Sequence, residues 1–316
     1  MTLKQIQALA IELGIKNDLR GEARVKKIME RVKEKYSRLS PGQKESFDQI
    51  KLTNPYSDFR ILVDQNRKTI KKVMAGIDIG GAELLLAKQL GDIDLVIAHH
   101  PEGRALADLH DVMSLQAEVL SQYGVPINVA EAVIKPRISE VSRGVSPINH
   151  YRSVDMAQLL GLDFMCCHTI QDNLAASFII KLLAKNKSKL ETVGDLLKLL
   201  KTVPEYKEAI KRGAGPRLFT GHEDSSLGKI VVTEFTGGTN GSKDIYEKMA
   251  QAGIGTIVGM HMAEEHRKEA EKYHLNVVIA GHMSSDSIGM NLFLDQLEKR
   301  GIKVVPISGL IRVKRK

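Results

Sequence analysis

The sequence predicts an α/β protein with two related α/β lobes, each built on a mixed sheet, and a helical N-terminal extension. Two observations indicate this class. From about residue 71, short apolar runs alternate with segments of helical periodicity. Most of these runs end at a glycine or a histidine, as at Gly80-Gly81 and His99-His100. A strand, a helix and a strand within about thirty residues form a βαβ unit, which implies parallel strand pairing.

The length and composition limit the class of protein further. A chain of 316 residues can bury a sizeable core in one large or two ordinary domains. The 46 Lys and Arg exceed the 38 Asp and Glu, a balance that suits anionic substrates without requiring nucleic acid. Cys166 and Cys167 are adjacent, which excludes a disulfide framework and favours a reducing compartment. No apolar run approaches the ~20 residues of a membrane span, so we expect a cytoplasmic protein without a membrane partner.

Residues 1–60 are predicted to form the helical extension. Ile6, Leu9 and Leu13 recur at helical spacing, and Ser40 and Gln43 form a capping box at the start of a further helix. Most of the excess positive charge lies in this segment. We interpret it as a solvated helical face, with a nucleic-acid arm as the alternative.

The first lobe is assigned to residues 61–215 and the second to residues 216–316, because a Gly- and Pro-containing boundary follows residue 212. In the first lobe, the pattern predicts strands at 72–79, 93–98, 125–129 and 164–167, with helices at 82–90, 109–123, through most of 131–160, and from 173 to 184. In the second lobe, it predicts strands at 230–235, 256–258, 276–280 and 303–307, with helices at 244–252, 263–273 and 287–300.

Three loops that each follow an apolar strand concentrate side chains able to bind metal. They contain the following candidates: His99 and His100, His168 and Asp172, and His282 and Asp286. Because the carboxyl ends of strands in open α/β sheets are where sites assemble, we expect the loops to converge. A single histidine after a strand is more often a hydrogen-bonded loop residue, but three such loops together favour a metal site.

Adjacent histidines on an ideal strand point to opposite faces. His99 and His100 can therefore both bind metal only where the strand breaks, or if each binds a different ion. Two ions about 3.5–4 Å apart, bridged by Asp172 or Asp286, satisfy this geometry. Imidazole and carboxylate ligands favour Zn, Fe, Mn, Co or Ni over Ca or Mg.

These loops resemble motifs of the Ngg-interacting-factor-three-like family, also called the GTP cyclohydrolase I type 2 family. The segment 94–101 (DLVIAHHP) resembles its His-His-Pro signature, and 168–172 (HTIQD) resembles its His-Thr-x-x-Asp motif. Residues 258–286 resemble its C-terminal Gly-His block, and 237–241 resemble its second glycine turn. The resemblance covers roughly residues 55–310.

The resemblance implies a dinuclear metal site on a two-lobed fold that assembles into a homohexamer. The implied ligands are His99, His100, Asp172, His282 and Asp286, and the implied cofactors are two divalent ions with no organic cofactor. His168 matches a motif histidine close to the metals, and we assign it the catalytic role of moving protons. The chain has Asp286 where the family usually has Glu, Met260 where an acidic residue is common, and an apparent insertion at 131–160.

Three functions are consistent with these features. The first is a metal-dependent hydrolase, cyclohydrolase-like, that acts on a purine nucleotide. The alternative is a non-catalytic or regulatory metal-binding protein that stores, delivers or senses metal, or binds partner proteins. The third is a nucleic-acid partner that uses the basic N-terminal helices, and it ranks last because no reading motif is present.

The remaining polar features are interpreted as structural. We expect Cys166 and Cys167 to be small core residues and the glycine-rich segment 237–242 to be a tight turn, with a phosphate-binding loop as its alternative. Four histidines are expected on the surface: His222, His261, His266 and His274. The C-terminal residues 312–316 are expected to form a solvated basic tail.

Overall fold

A computed structural model describes residues 1–315 and shows an α/β protein with two mixed sheets and a helical N-terminal segment, as predicted. The strands are β1 (Phe59–Val63), β2 (Lys72–Gly76), β3 (Leu95–Ala98), β4 (Asp163–Cys167), β5 (Arg217–Thr220), β6 (Lys229–Val232), β7 (Ile254–Gly259), β8 (Asn276–Ile279) and β9 (Lys303–Ile307). Among the described residues, no helix is both long enough and apolar enough to cross a bilayer.

The helices flank these strands along the whole chain. They are α1 (Leu3–Lys16), α2 (Glu22–Ser37), α3 (Pro41–Glu45), α4 (Gly81–Leu90), α5 (Gly103–Ala107), α6 (Ser114–Gln122), α7 (Ile127–Val145), α8 (Arg152–Leu160), α9 (Thr169–Lys185), α10 (Val193–Leu200), α11 (Pro204–Lys211), α12 (Ile245–Gln251), α13 (Glu264–Lys272) and α14 (His282–Glu298). Short 3-10 helices lie at Gln49–Leu52, Leu109–Met113 and Lys187–Lys189.

The two sheets have the same plan. Within residues 1–315, the first has the strand order β1-β4-β3-β2-β9 and the second has the order β5-β8-β7-β6. In each, the pairs are parallel except for one antiparallel edge strand, β1 in the first sheet and β5 in the second. Strand β9, in the segment assigned by sequence to the second lobe, pairs with β2 in the first sheet.

The sequence analysis did not predict either antiparallel edge strand, β1 or β5, and one of the strands that it predicted is wrong. β1 contains Arg60, which interrupts its apolar pattern and binds Asp48 and Asp108. The run at 125–129, predicted as a strand, instead leads into α7, which begins at Ile127 directly after Pro126. A short apolar run cannot be assigned to strand or helix from its pattern alone, and Pro126 at the N-cap of α7 removes no hydrogen bond of the helix.

Helix α1 is part of the core of the first sheet. Its buried residues Leu3, Ile6 and Leu9 belong to the same apolar cluster as Val73 of β2 and Ile97 of β3. A capping box between Thr2 and Gln5 begins the helix. The solvated basic face that the sequence predicts is on α2, where only Val25 is buried. The N-terminal segment therefore stabilises the α/β core directly.

We expect Ile6→Ala to lower the free energy of unfolding by about 2–5 kcal/mol, because removing buried methylene groups leaves a cavity. Ile6 is fully buried between α1 and the first sheet. Urea unfolding of the variant beside Lys4→Ala, a change at an exposed position of the same helix, measures the effect. Equal midpoints of urea unfolding for the two variants would show that the packing of α1 does not stabilise the core.

The basic C-terminal segment is anchored, which corrects the expectation of a solvated tail for residues 312–315. Arg312 pairs with Asp295 and Glu298 of α14, and Arg315 makes two hydrogen bonds to the buried carboxylate of Glu205. Buried carboxylates are retained where a cation pairs with them, and these arginines supply the charge. Lys316 lies outside the described residues.

Cys166 and Cys167 are buried in β4, as expected for core residues. Burial raises the pKa of both thiols, so neither is a thiolate at neutral pH.

Candidate metal centre

The three histidine-bearing loops meet at the carboxyl ends of strands from both sheets. His99 and His100 follow β3, His168 follows β4, and His282 follows β8. Neighbouring imidazole centroids in this group are 5.0–5.9 Å apart. The structure therefore brings together all six candidate side chains of the sequence analysis.

The Nε2 atoms of the four histidines face two carboxylates. His99 Nε2 lies 3.4 Å from Asp172 Oδ1 and 3.5 Å from Asp286 Oδ1. His100 Nε2 and His282 Nε2 each lie 3.6 Å from the other oxygen of Asp286, Oδ2. His168 Nε2 lies 3.6 Å from Asp172 Oδ2. These distances are long for hydrogen bonds, but they leave space for an ion between the imidazole nitrogens and the carboxylate oxygens.

Hydrogen bonds on the far side of three rings orient them toward this space. His99 Nδ1 donates to Gln171 Oε1 at 2.8 Å, and His100 Nδ1 donates to Asp78 Oδ1 at 2.6 Å. His168 Nδ1 donates to Asp58 Oδ2 at 2.9 Å. When Nδ1 carries the proton of a neutral imidazole, Nε2 presents a lone pair. This arrangement is typical of metal-binding histidines, whose second nitrogen is held by a carboxylate or amide.

Two helices begin at the site and carry the acidic residues. In α9 and α14, Asp172 and Asp286 come four residues after His168 and His282, so each pair shares a helix face. The sequence predicted that the last helix begins at residue 287, but α14 begins at His282. Gly281 has a φ of 109°, a conformation that lets the chain turn from β8 directly into the helix.

The polar atoms at the centre of the group have no hydrogen-bond partner. They are His99 Nε2, Asp172 Oδ1 and both carboxylate oxygens of Asp286. All three side chains are buried, and burying unpaired polar or charged atoms is costly. Divalent cations would satisfy these atoms, and the mixture of imidazole and carboxylate suits transition metals. The residues present therefore fit a metal centre.

The charges of these residues perturb one another strongly. Burial opposes a charge on His99, yet Asp286 and Asp172 outweigh it and raise the pKa of His99. Burial likewise opposes a positive charge on His168, but Asp172 and Asp58 outweigh this effect and raise the pKa of His168. Burial alone would raise the pKa of Asp286, but the surrounding histidines hold it well below its usual range. Asp286 is therefore ionised and ready to bind cations.

Of the four histidines expected on the surface, His266 is buried and His261 is only partly exposed. His261 packs its ring 4.7 Å from that of His282, and burial and His282 lower its pKa to about 4. His266 is buried, and its Nδ1 lies 3.1 Å from the hydroxyl of Tyr246. His222 and His274 are exposed, as predicted. His261 lies two residues beyond the end of β7. This position after a strand is the sequence signal that could have identified it as a residue near the site.

Sequence reasoning also missed Asp58, Asp78 and Gln171, which hold the histidines in place. Asp58 lies just before the unpredicted strand β1, and Asp78 follows β2. Gln171 neighbours the predicted ligand Asp172. No local pattern marks them, because their roles arise from contacts made 22 to 110 residues away along the chain.

We expect Asp58→Asn to lower the pKa of His168, because the variant removes a negative charge that supports the imidazolium. In the wild type, Asp58 Oδ2 also accepts hydrogen bonds from the amide and hydroxyl of Thr169. A histidine NMR titration of the metal-free protein measures the change, with the exposed Asp64→Asn as the matched control. An unchanged His168 titration in Asp58→Asn would show that the contact has no electrostatic role.

A buried polar network supports the wall of the site. Asp18 pairs with Arg20 and accepts a hydrogen bond from the Tyr56 hydroxyl at 2.9 Å. Asn173, the residue after Asp172, contacts Asp18 and accepts a 2.7 Å hydrogen bond from the Thr236 hydroxyl. The segment between α1 and α2 is thereby joined to the helix that carries Asp172.

A cavity of about 320 Å³ opens beside the histidines. Its polar lining comes from the site and from the segment after β6, and its apolar lining includes Leu106, Leu109, Phe235 and Met260. Met260 occupies the position where the family resemblance suggested an acidic residue. The volume is at the lower end of the range for small-molecule sites, ~300–1,000 Å³.

Comparisons with known proteins agree with this architecture. A NIF3 superfamily protein from Sphaerobacter thermophilus is 32% identical over 80% of this chain and 92% of that chain, with a TM-score of 0.74. Reduced HcgD from Methanocaldococcus jannaschii is 15% identical over 83% of this chain and 93% of that chain, with a TM-score of 0.52, which shows a likeness of fold. No family model and no curated protein match the chain.

Proposed function

The chain belongs to the NIF3 superfamily, and from its histidine and aspartate cluster we propose that it is a dinuclear metal-dependent hydrolase. The observation that carries this proposal is the convergence of imidazole Nε2 atoms on buried carboxylate oxygens that have no other partner. Two divalent ions bound here would lower the pKa of a water molecule and stabilise negative charge on a reacting oxygen.

Asp286 is the residue that we propose would hold both ions. Its Oδ1 faces His99, while its Oδ2 faces His100 and His282. Asp172 faces His99 from the opposite helix. We therefore assign His99, Asp172 and Asp286 to one ion, and His100, His282 and Asp286 to the other. Each of these sets has ligand atoms within 4.8 Å of one another.

His168 is the proposed proton-transfer residue. It lines the cavity, and Asp58 fixes the orientation of its ring. A histidine held by a carboxylate can accept a proton from an attacking water and later return it to a leaving group. One of its ring nitrogens also lies within 4.8 Å of a ring nitrogen of His99 and of His100, so metal content must be measured beside activity.

The family resemblance suggests a purine nucleotide as the substrate, a homohexamer as the assembly and the cytoplasm as the location. A purine compound would offer a carbonyl oxygen and ring nitrogens to the ions. These assignments are proposals that rest on analogy with the family.

We expect the protein loaded with Zn, Mn, Fe, Co or Ni to hydrolyse a member of a panel that includes GTP, guanosine and simple esters. His168→Gln should retain both ions and lose about 10²–10⁴-fold in turnover. A His99→Ala variant, which removes a proposed ligand, should lose metal and turnover together. Full metal loading without turnover on any compound would favour the non-catalytic alternative, a protein that stores, delivers or senses metal.

A further inference from the structure

Carboxylates line the cavity beside the proposed metal centre, and among the described residues of its lining only histidines can carry a positive charge. Asp78 and Glu102 line it together with His100, and none of the described residues in its lining is Lys or Arg. Asp78 is 68% exposed at its side chain, which places it at the opening. The opening of the cavity therefore carries a negative charge beside the histidines.

Glu102 is the carboxylate of this pair that does not hold a histidine. It follows the His99-His100-Pro101 segment and precedes α5. Its side chain lines the cavity together with that of Asp78. A ligand cation would relieve the repulsion between Asp78 and Glu102, whereas an anion would increase it.

The cationic side chains that usually recognise phosphate are absent from the described lining of this cavity. Arg and Lys side chains are the usual partners of phosphate oxygens. A nucleotide whose ring reached the ions would have to leave its phosphates in the cavity or at the opening beside Asp78. The apolar residues Leu106, Leu109 and Phe235 instead suit an uncharged body.

We propose that the cavity selects a small substrate without phosphate. The carbonyl group of this substrate would face the ions, and the part that faces Asp78 and Glu102 would be either uncharged or positively charged. This inference rests on the proposed hydrolase function, and it replaces the nucleotide that the family resemblance suggests with uncharged or cationic carbonyl compounds such as amides, cyclic amides and nucleobases.

Three hydroxamates test the proposal, because all bind metal through the same group and differ in charge. Leucine hydroxamate carries an ammonium group, isocaproyl hydroxamate is its uncharged analogue, and succinic monohydroxamate is anionic. Calorimetric titration of the zinc-loaded protein should give the tightest binding for the cation and the weakest for the anion. A charge contact at a partly exposed position changes affinity by up to about fivefold.

The variant Glu102→Gln should reduce the affinity ratio between the cationic and the uncharged hydroxamate. The matched control is Glu131→Gln, which removes the same charge from an exposed position of α7 outside the cavity lining. Metal content is measured for each protein so that a loss of ions is recognised.

Two results would overturn the proposal alone: the anionic hydroxamate binds as tightly as the uncharged one, or Glu102→Gln leaves the ratio unchanged. If no hydroxamate binds the zinc-loaded protein, the ions have no position open to a ligand. That result would overturn the hydrolase proposal and, with it, the proposed substrate class.

Discussion

Asp286→Ala is expected to empty at least one of the two proposed metal sites. The carboxylate is fully buried, and each of its oxygens faces a different set of histidines. Removing it takes one ligand from each proposed ion and also removes the negative charge that faces His99 and His100. Losing an outer partner of a ligand typically costs 10–100-fold in metal affinity, and losing a shared ligand should cost more.

Metal titration of Asp286→Ala beside Asp286→Glu tests this expectation. Glutamate is the usual family residue at this position, so the Glu variant should bind both ions if the helix can accommodate one more methylene group. Because α14 begins at His282, Asp286 reaches the site from a rigid helix rather than from a loop. An Ala variant that binds both ions at near wild-type affinity would remove Asp286 from the ligand set.

Gly289→Ala is expected to destabilise the protein and weaken metal binding together. A Cβ atom at Gly289 would lie 2.0 Å from the carbonyl oxygen of Gln171 and 2.6 Å from its carbonyl carbon. Both contacts are to the backbone, so a side-chain rotation cannot relieve them. Helices α14 and α9 would have to separate at this point, at a cost of about 1–3 kcal/mol or more.

The link to metal binding follows from what these helices carry. Asp286 lies one turn before Gly289, and Gln171 is next to Asp172 and accepts the hydrogen bond of His99. The control is Gly144→Ala in α7, where an added Cβ meets nothing within 4 Å. That change should be neutral or stabilising, because alanine favours helices over glycine by roughly 0.5–1 kcal/mol. Thermal unfolding and metal titration that are unchanged in Gly289→Ala would contradict the close packing of α9 and α14.

The fold was predictable wherever hydrophobic periodicity was strong. Strands β2, β3, β4, β7 and β8 are short apolar runs with turn residues at their ends, and their pattern identified them. Strand β1 was hidden because Arg60 is buried within it through pairing with Asp48, a contact that only the tertiary structure provides. The segment 125–129 was wrongly predicted as a strand because it is apolar. Val125 belongs to the core but is not part of a strand.

The candidate site was predictable in its centre and not in its surroundings. His99, His100, His168 and His282 stood out because each follows a strand. Asp58 and Gln171 orient two of these rings, but their roles depend on how β1 and α9 pack. His261 was assigned to the surface because charged residues follow it, whereas the end of β7 directs it toward His282.

The central claim is that five side chains, from segments that follow strands of both sheets, bind two ions beside His168. Anomalous diffraction from crystals of the metal-replete protein, with elemental analysis of the same sample, tests it most directly. We predict two ions per chain, about 3.5–4 Å apart, with Asp286 between them, His99 and Asp172 at one, and His100 and His282 at the other. A saturated site with a single ion per chain, or ions bound away from Asp286, would contradict the claim.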